Sequence, residues 1–315
     1  MAFLRLLEKI RNPFLDNLFL VITAIGEETM FLFVAVLVFW CVNKREGYYL
    51  LTVGLVGMVV NQFLKQICRI ERPWKKDGFS AVPEAIGEAG GYSFPSGHTQ
   101  NVTGTLGSVA RWSPKPWVRI ASVVAIALVA FSRMYLGVHT PLDVGFSLVF
   151  GALLVFVIYP LFSTEERFEK FMPYVVGFAA LLSLALLIFA MIYPNESSDA
   201  DNLISCRENA ATALGCTLGL IPVYILDRCV IKFETGARWY SQIIKLVLGA
   251  AVILLVKEGL KVPLDLIFAN EYVARCVRYF TVVVFVGILW PLTFKYFSKL
   301  QIASLDNLFK KENKE

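Results

Sequence analysis

An all-α integral membrane protein of about nine transmembrane helices is the fold class that the sequence predicts, and three observations carry it. Of 315 residues, 57% are hydrophobic and only 17% are charged, too little polar surface to cover a water-soluble domain of this size. The mean hydropathy is +0.63. Apolar runs that read as membrane spans also recur along the whole chain, separated by polar connections.

Nine runs are read as spans, at 30–42, 48–64, 99–110, 117–131, 142–162, 174–193, 210–226, 243–256 and 279–294. A further apolar stretch, 18–25, is too short to cross and is cut off by Glu27 and Glu28. It reads as an interfacial or re-entrant helix. Lys9, Arg11 and Asp16 interrupt the amino-terminal segment, which therefore does not read as a cleaved signal peptide. Four regions follow: an interfacial segment 1–26, a core 27–195, additional carboxyl-terminal helices 196–300 and a charged tail 301–315.

Basic residues orient the bundle, because cytoplasmic loops are enriched in Lys and Arg. Lys44 and Arg45, then Arg111, Lys115 and Arg119, then Arg167 and Lys170, then Arg228, Lys232 and Arg238 all occupy alternate loops. The tail adds Lys310, Lys311 and Lys314, whereas the loop 195–202 is acidic. The tail is therefore expected in the cytoplasm, with loops 69–97 and 133–141 facing outward. Arg5, Lys9 and Arg11 run against this count, as does the long basic loop 65–97. A loop of that length in a compact bundle argues for function.

The net charge of +5 is dispersed, which fits an anionic substrate and cytoplasmic loops and excludes nucleic acid as a partner. Six scattered cysteines lack any CxxC spacing, so they read as small buried hydrophobes and give neither a disulfide framework nor a metal site.

The chemistry concentrates around the two histidines of the chain, His98 and His139. Histidine titrates near neutrality and serves as acid, base or nucleophile. His98 stands in Pro95-Ser96-Gly97-His98-Thr99, ahead of an apolar helical run. The free N–H groups of such a helix start form an anion site. His139 stands in Ser132-Arg133 and Gly137-Val138-His139-Thr140-Pro141-Leu142-Asp143. Thr140 and Pro141 fit the cap and first position of the next helix, which puts Asp143 within reach of His139. A carboxylate on one imidazole nitrogen leaves the other free to attack. A third segment, Lys65 to Pro73, supplies Lys65 and Arg72, a point charge and a bidentate phosphate fork. Each segment alone has a bland explanation: a capped helix, a carboxylate complementing a helix dipole, a snorkelling lysine. Together they converge three cations on two histidines and an aspartate, at about 2.5–3.5 kcal/mol per charged residue in a span. A phosphoryl group is the natural tenant. Arg69, Lys75 and Lys76 read as solvated cations or as attractors of an anionic substrate or headgroup, and Trp74 as a residue of the site's mouth or of the interface.

Lys-x6-Arg-Pro, Pro-Ser-Gly-His and Ser-Arg-x5-His-x3-Asp, in this order over residues 65–143, resemble the three signature motifs of the type 2 phosphatidic acid phosphatase superfamily. All three are complete. The resemblance implies a six-helix catalytic core with three added carboxyl-terminal spans. It implies that His139 attacks phosphorus to give a phosphohistidine, that Asp143 orients it, and that His98 protonates the leaving group. Lys65, Arg72, Arg133, Ser96 and Gly97 would hold the phosphoryl oxygens, and no metal or other cofactor is implied. The expected substrate is a membrane lipid phosphate or isoprenyl diphosphate, met at the extracytoplasmic face. A soluble sugar phosphate is the alternative within that chemistry, and a non-catalytic lipid-binding or transport protein the alternative outside it. The oligomeric state is left open.

Overall fold

The computed structural model describes residues 1–76, 78–193 and 200–300. The tail 301–315 and most of the acidic loop 195–202 lie outside the described residues. Among the described residues the regular structure is entirely helical: α1 (Ala2–Lys9), α2 (Pro13–Thr23), α3 (Glu28–Leu37), α4 (Lys44–Cys68), α5 (Pro83–Gly87), α6 (Gly97–Trp112), α7 (Pro116–Tyr135), α8 (Pro141–Phe162), α9 (Glu165–Ile192), α10 (Ala200–Leu226), α11 (Trp239–Gly259), α12 (Lys261–Ile267), α13 (Glu271–Val284) and α14 (Phe294–Phe297). Single π turns extend α3, α10 and α13, at Val38–Val42, Asp227–Ile231 and Phe285–Leu289.

Local chemistry sets the helix boundaries. Asn12 caps α2 and Pro13 takes its first position, so this helix begins five residues before the apolar stretch that announced it. Asn43 accepts from the N–H groups of Arg45 and Glu46 and starts α4 at Lys44. Thr164 caps α9 and puts Glu165 and Glu166 in its first turn, where acidic groups meet the positive end of the helix dipole. Hydropathy does not see such polar first turns, and the expected start at 174 is correspondingly late.

Six of these helices are long and apolar enough to cross a membrane, or seven if the pair Pro13–Gly26 and Glu28–Val42, bent by 49°, counts as one. The chain is thus a multi-pass membrane protein. Two of the nine expected spans, 99–110 and 243–256, fall on α6 and α11, which are outside that set. The reason is plain for α6: its 16 residues reach only about 24 Å at 1.5 Å per residue, short of the roughly 30 Å hydrocarbon core.

Helix α6 packs between α4, α7 and α8, and α10 packs against α9, α4 and α13. The largest buried cluster, built from Phe39, Trp40, Tyr48, Tyr49, Phe162, Phe168 and Phe294, gathers where α4 begins and α8 ends. There the carboxyl-terminal helices join the rest: Trp40 donates to Val286 O at 2.9 Å and Lys44 pairs with the buried Asp227 at 3.0 Å. The opposite end of the bundle, where α4 and α7 end and α6 and α8 begin, is left to polar residues.

Candidate active site

All eight candidate residues meet at that polar end. Lys65 sits in the last turn of α4. The helix stops at Arg69, whose left-handed backbone (φ 47°) turns the chain. Arg72 follows in extended conformation, as the residue before a proline must. Its guanidinium then points inward and uses every edge. Nε donates to Gly91 O at 2.9 Å, Nη2 to Gly90 O at 2.7 Å, and Nη1 to Val138 O at 3.0 Å. Nη1 also lies 2.9 Å from Nε2 of His139. Lys65 Nζ donates to Tyr92 O at 2.6 Å. A row of loop carbonyls, 90 to 92, therefore aims both cations. Gly91 needs its φ of +70°, and a Cβ there would lie 3.7 Å from Lys65 Nζ.

Arginine has no lone pair to offer, so in its contact with Arg72 the Nε2 atom of His139 is the acceptor. The proton of a neutral imidazole then belongs on Nδ1, which faces Asp143 Oδ2 at 3.6 Å. That is longer than a hydrogen bond, and Nδ1 has no partner among the described residues. Asp143 Oδ2 accepts instead from Thr140 N at 2.7 Å and from Ser93 Oγ at 2.6 Å. Thr140 Oγ1 in turn accepts from Asp143 N at 3.3 Å, closing a capping box that ties Oδ2 to the start of α8. Burial, then Arg72, Arg133, Lys65 and His98 in that order, holds the His139 pKa well below the usual 6.5. The ring is neutral at physiological pH, with its lone pair on the nitrogen beside the cations.

Ser96 caps α6 through its hydroxyl, which accepts from Thr99 N. Its own N–H, expected to bind an anion, donates to Asp143 O at 3.4 Å. Space beside the Gly97 Cα is open, so the first turn of α6 can be approached closely there. His98 follows, with its Nε2 buried and without a partner among the described residues.

Arg133 ends α7 and is fully buried; Nη1 donates to Thr23 Oγ1 at 2.8 Å. Thr23 belongs to the amino-terminal segment, which the sequence marks as interfacial or re-entrant. That segment also braces the site. A Cβ on Gly26 would lie 2.9 Å from His98 O and from Val129 Cγ1. Arg11 donates to Tyr135 O at 2.9 Å and Ser80 O at 2.5 Å, while Tyr135 donates to Asp16 at 2.8 Å. Leu15, Phe19 and Leu20 pack under the loop 78–92 against Ala81, Val82, Leu136 and Val138. Gly26→Val is expected to displace the first turn of α6 and to destabilise the protein by about 1–3 kcal/mol through overpacking. A fall in melting temperature of the detergent-solubilised protein checks it.

Sequence reasoning missed Thr23, Gly26 and Ser93. For Thr23 a usable signal existed, a hydroxyl inside an apolar run; for Ser93 there was none.

Three buried cations, Lys65, Arg72 and Arg133 at 6%, 4% and 0% exposure, face one buried carboxylate, Asp143 at 1%. Their formal charges leave +2. A buried net charge is costly unless paired, so the cluster has the charge to receive a multiply charged anion beside a histidine nitrogen. Among the described residues no group of three or more His, Cys, Asp or Glu side chains is placed to hold a metal ion.

Residues 45–167 match the PAP2 superfamily and residues 211–303 its phosphatase transmembrane extension. Sphingosine-1-phosphate phosphatase 1 of Mus musculus is 26% identical over 270 residues, 81% of this chain and 62% of that protein. The chain thus spans somewhat under two thirds of that relative. Undecaprenyl-diphosphatase of Sulfolobus acidocaldarius is 28% identical over 144 residues, 45% of this chain and 68% of that protein. Phosphatidylglycerophosphatase B of Bacillus subtilis is 32% identical over 177 residues, 51% of this chain and 82% of that protein. No solved structure matches significantly. With its three motifs inside the first matched region and its last helices inside the second, the chain belongs to the PAP2 superfamily.

Proposed function

We propose that this protein is a membrane phosphatase that hydrolyses a lipid phosphate or an isoprenyl diphosphate through a phosphohistidine on His139. One observation carries the reading: three buried cations stand against a single buried carboxylate, and one of them lies 2.9 Å from the acceptor nitrogen of a buried histidine. The names of the relatives support a phosphorylated lipid as substrate, and a span-rich chain presents its site to lipid headgroups.

The substrate phosphoryl displaces Arg72 Nη1 from His139 Nε2 and takes the guanidinium, Lys65 and Arg133 as its ligands. The Nε2 lone pair forms a bond to phosphorus as the bond to the leaving oxygen breaks, and His98 gives that oxygen its proton. Water then attacks phosphorus, its proton passes to His98, and the N–P bond breaks to release phosphate. The cations stabilise charge on the equatorial oxygens at both stages. Asp143 stabilises the imidazolium character of His139. With this ligand set the chemistry requires no metal.

We place the site at the extracytoplasmic face. The opposite end of the bundle carries Lys44, Arg45, Lys115, Arg119, Arg167, Lys170, Arg228 and Lys232, the bias expected of cytoplasmic loops. In this reading α6 and α11 join the seven candidate spans to make nine. Residues 1–26 then form a brace on a catalytic core of 27–195, and 196–300 form the extension.

Phosphate release in EDTA, from phosphatidic acid, undecaprenyl diphosphate, sphingosine 1-phosphate and glucose 6-phosphate, tests both the reaction and the substrate class. Chelator-resistant release from the lipids is the expected outcome. Preference for glucose 6-phosphate, or no release from a well-folded preparation, would count against it.

A further inference from the structure

Ser93 belongs to none of the three motifs, yet it is the point at which all three loops are tied together. It is fully buried. Its N–H donates to Ile70 O at 2.8 Å, on the loop that carries Arg72. Its hydroxyl donates to Asp143 Oδ2 at 2.6 Å, the shorter of the two hydrogen bonds that oxygen accepts. Three residues further on, Ser96 starts the helix of His98 and donates through its own N–H to Asp143 O.

The other bond to Oδ2 comes from Thr140 N and is set by the capping box. A capping box needs only that one oxygen touch the N-cap amide, and leaves the carboxylate free to swing about that contact. With the Ser93 hydroxyl on the same oxygen, Oδ2 is held from two directions. It is kept 3.6 Å from His139 Nδ1, a distance that a small movement of the imidazole towards the carboxylate can close. Oδ1 stays buried without a partner among the described residues.

Resting on the phosphohistidine reading, we infer that Ser93 is a positioning residue of the reaction: its hydroxyl aims the Asp143 carboxylate at the nucleophile. It touches neither substrate nor phosphorus. Its loss should slow the chemical step and leave phosphate binding, the business of Lys65, Arg72 and Arg133, unaltered.

The experiment compares wild type, Ser93→Ala, Ser93→Cys, Ser93→Thr and His139→Ala in detergent micelles, on whichever lipid of the panel is turned over best. Ser93→Ala is expected to lower kcat about 10- to 100-fold, the usual cost of losing an orienting partner, with KM changed less than about twofold. Cysteine fills nearly the same space with a poor donor, so Ser93→Cys should fall like alanine. Threonine keeps the hydroxyl, and Ser93→Thr should recover most of the lost kcat. A merely structural role would move melting temperature in all three without this ordering. Wild-type kcat in Ser93→Ala or Ser93→Cys, while His139→Ala is inactive, would overturn the role of Ser93 alone. Should alanine prevent folding, the cysteine and threonine pair decides the question by the same criterion. Activity in His139→Ala would instead overturn the phosphohistidine reading on which the inference rests.

Discussion

His139→Ala is expected to reduce phosphate release by about 10⁴-fold or more, the scale seen when a nucleophile that acts as part of a unit is removed. The physical reason lies in what remains. Lys65, Arg72 and Arg133 would still be buried with a surplus of positive charge, so the variant should bind phosphate esters normally or more tightly while failing to turn them over. Loss of turnover with retained competitive binding of inorganic phosphate is therefore the specific expectation. The covalent step itself can be trapped. Acid-stable, base-labile or acid-labile behaviour of a trapped phosphoryl label identifies the atom that carries it, and an N–P bond is acid-labile and base-stable. Rapid quenching in alkaline detergent during turnover of a ³²P-labelled substrate, followed by analysis at high pH, should find label in wild type and none in His139→Ala. An enzyme that keeps wild-type release without His139 would exclude the covalent route.

The parts of the site that were legible in the sequence are those whose partners are near in the chain. His139 and Asp143 are four residues apart, the spacing at which side chains on one helical turn meet, and Thr140-Pro141 announced the helix start between them. Lys65 and Arg72 bracket a helix end, and Pro73 dictates the extended backbone of Arg72. The supporting contacts were not legible because they cross the chain. Thr23 reaches Arg133 over 110 residues and Arg11 reaches Tyr135 over 124; neither has a periodic signature. The amino-terminal segment was readable as a short apolar helix but not as the brace behind two catalytic loops. Likewise the hydropathy runs located nearly every long helix, yet mistook their ends wherever a polar first turn preceded the apolar stretch, as at Glu165–Glu166. The short α6 marks the limit of that method: with buried Gln100, Thr103 and Thr105 it packs among α4, α7 and α8, and owes its place to them more than to lipid.

Arg72→Ala should be the most informative loss after His139, because this one side chain contacts three loop carbonyls and the nucleophile. Removing a charge-stabilising donor typically costs about 10²- to 10³-fold in kcat, or roughly 2.7–4 kcal/mol of transition-state stabilisation. Here the carbonyls of Gly90, Gly91 and Val138 would lose their donor as well, so the loop should loosen and KM should rise too. Lysine is a poor replacement, since a single ammonium cannot satisfy a planar set of acceptors on three sides; Arg72→Lys should recover little. The pH profile gives a second, independent reading. His139 is kept neutral by burial first and by the charges of Arg72, Arg133, Lys65 and His98 next. A histidine whose pKa is lowered retains its lone pair as pH falls, and loses it only on passing the lowered value. The acid limb of kcat/KM in wild type should therefore lie below the ordinary imidazole range. Without Arg72 the largest charge acting on the ring is gone, and the limb should move to higher pH. Comparing the two profiles on one substrate cancels the ionisation of the phosphate itself, which titrates near pH 6. An acid limb that stays in place in Arg72→Ala would mean that His139 is not the group whose protonation ends activity.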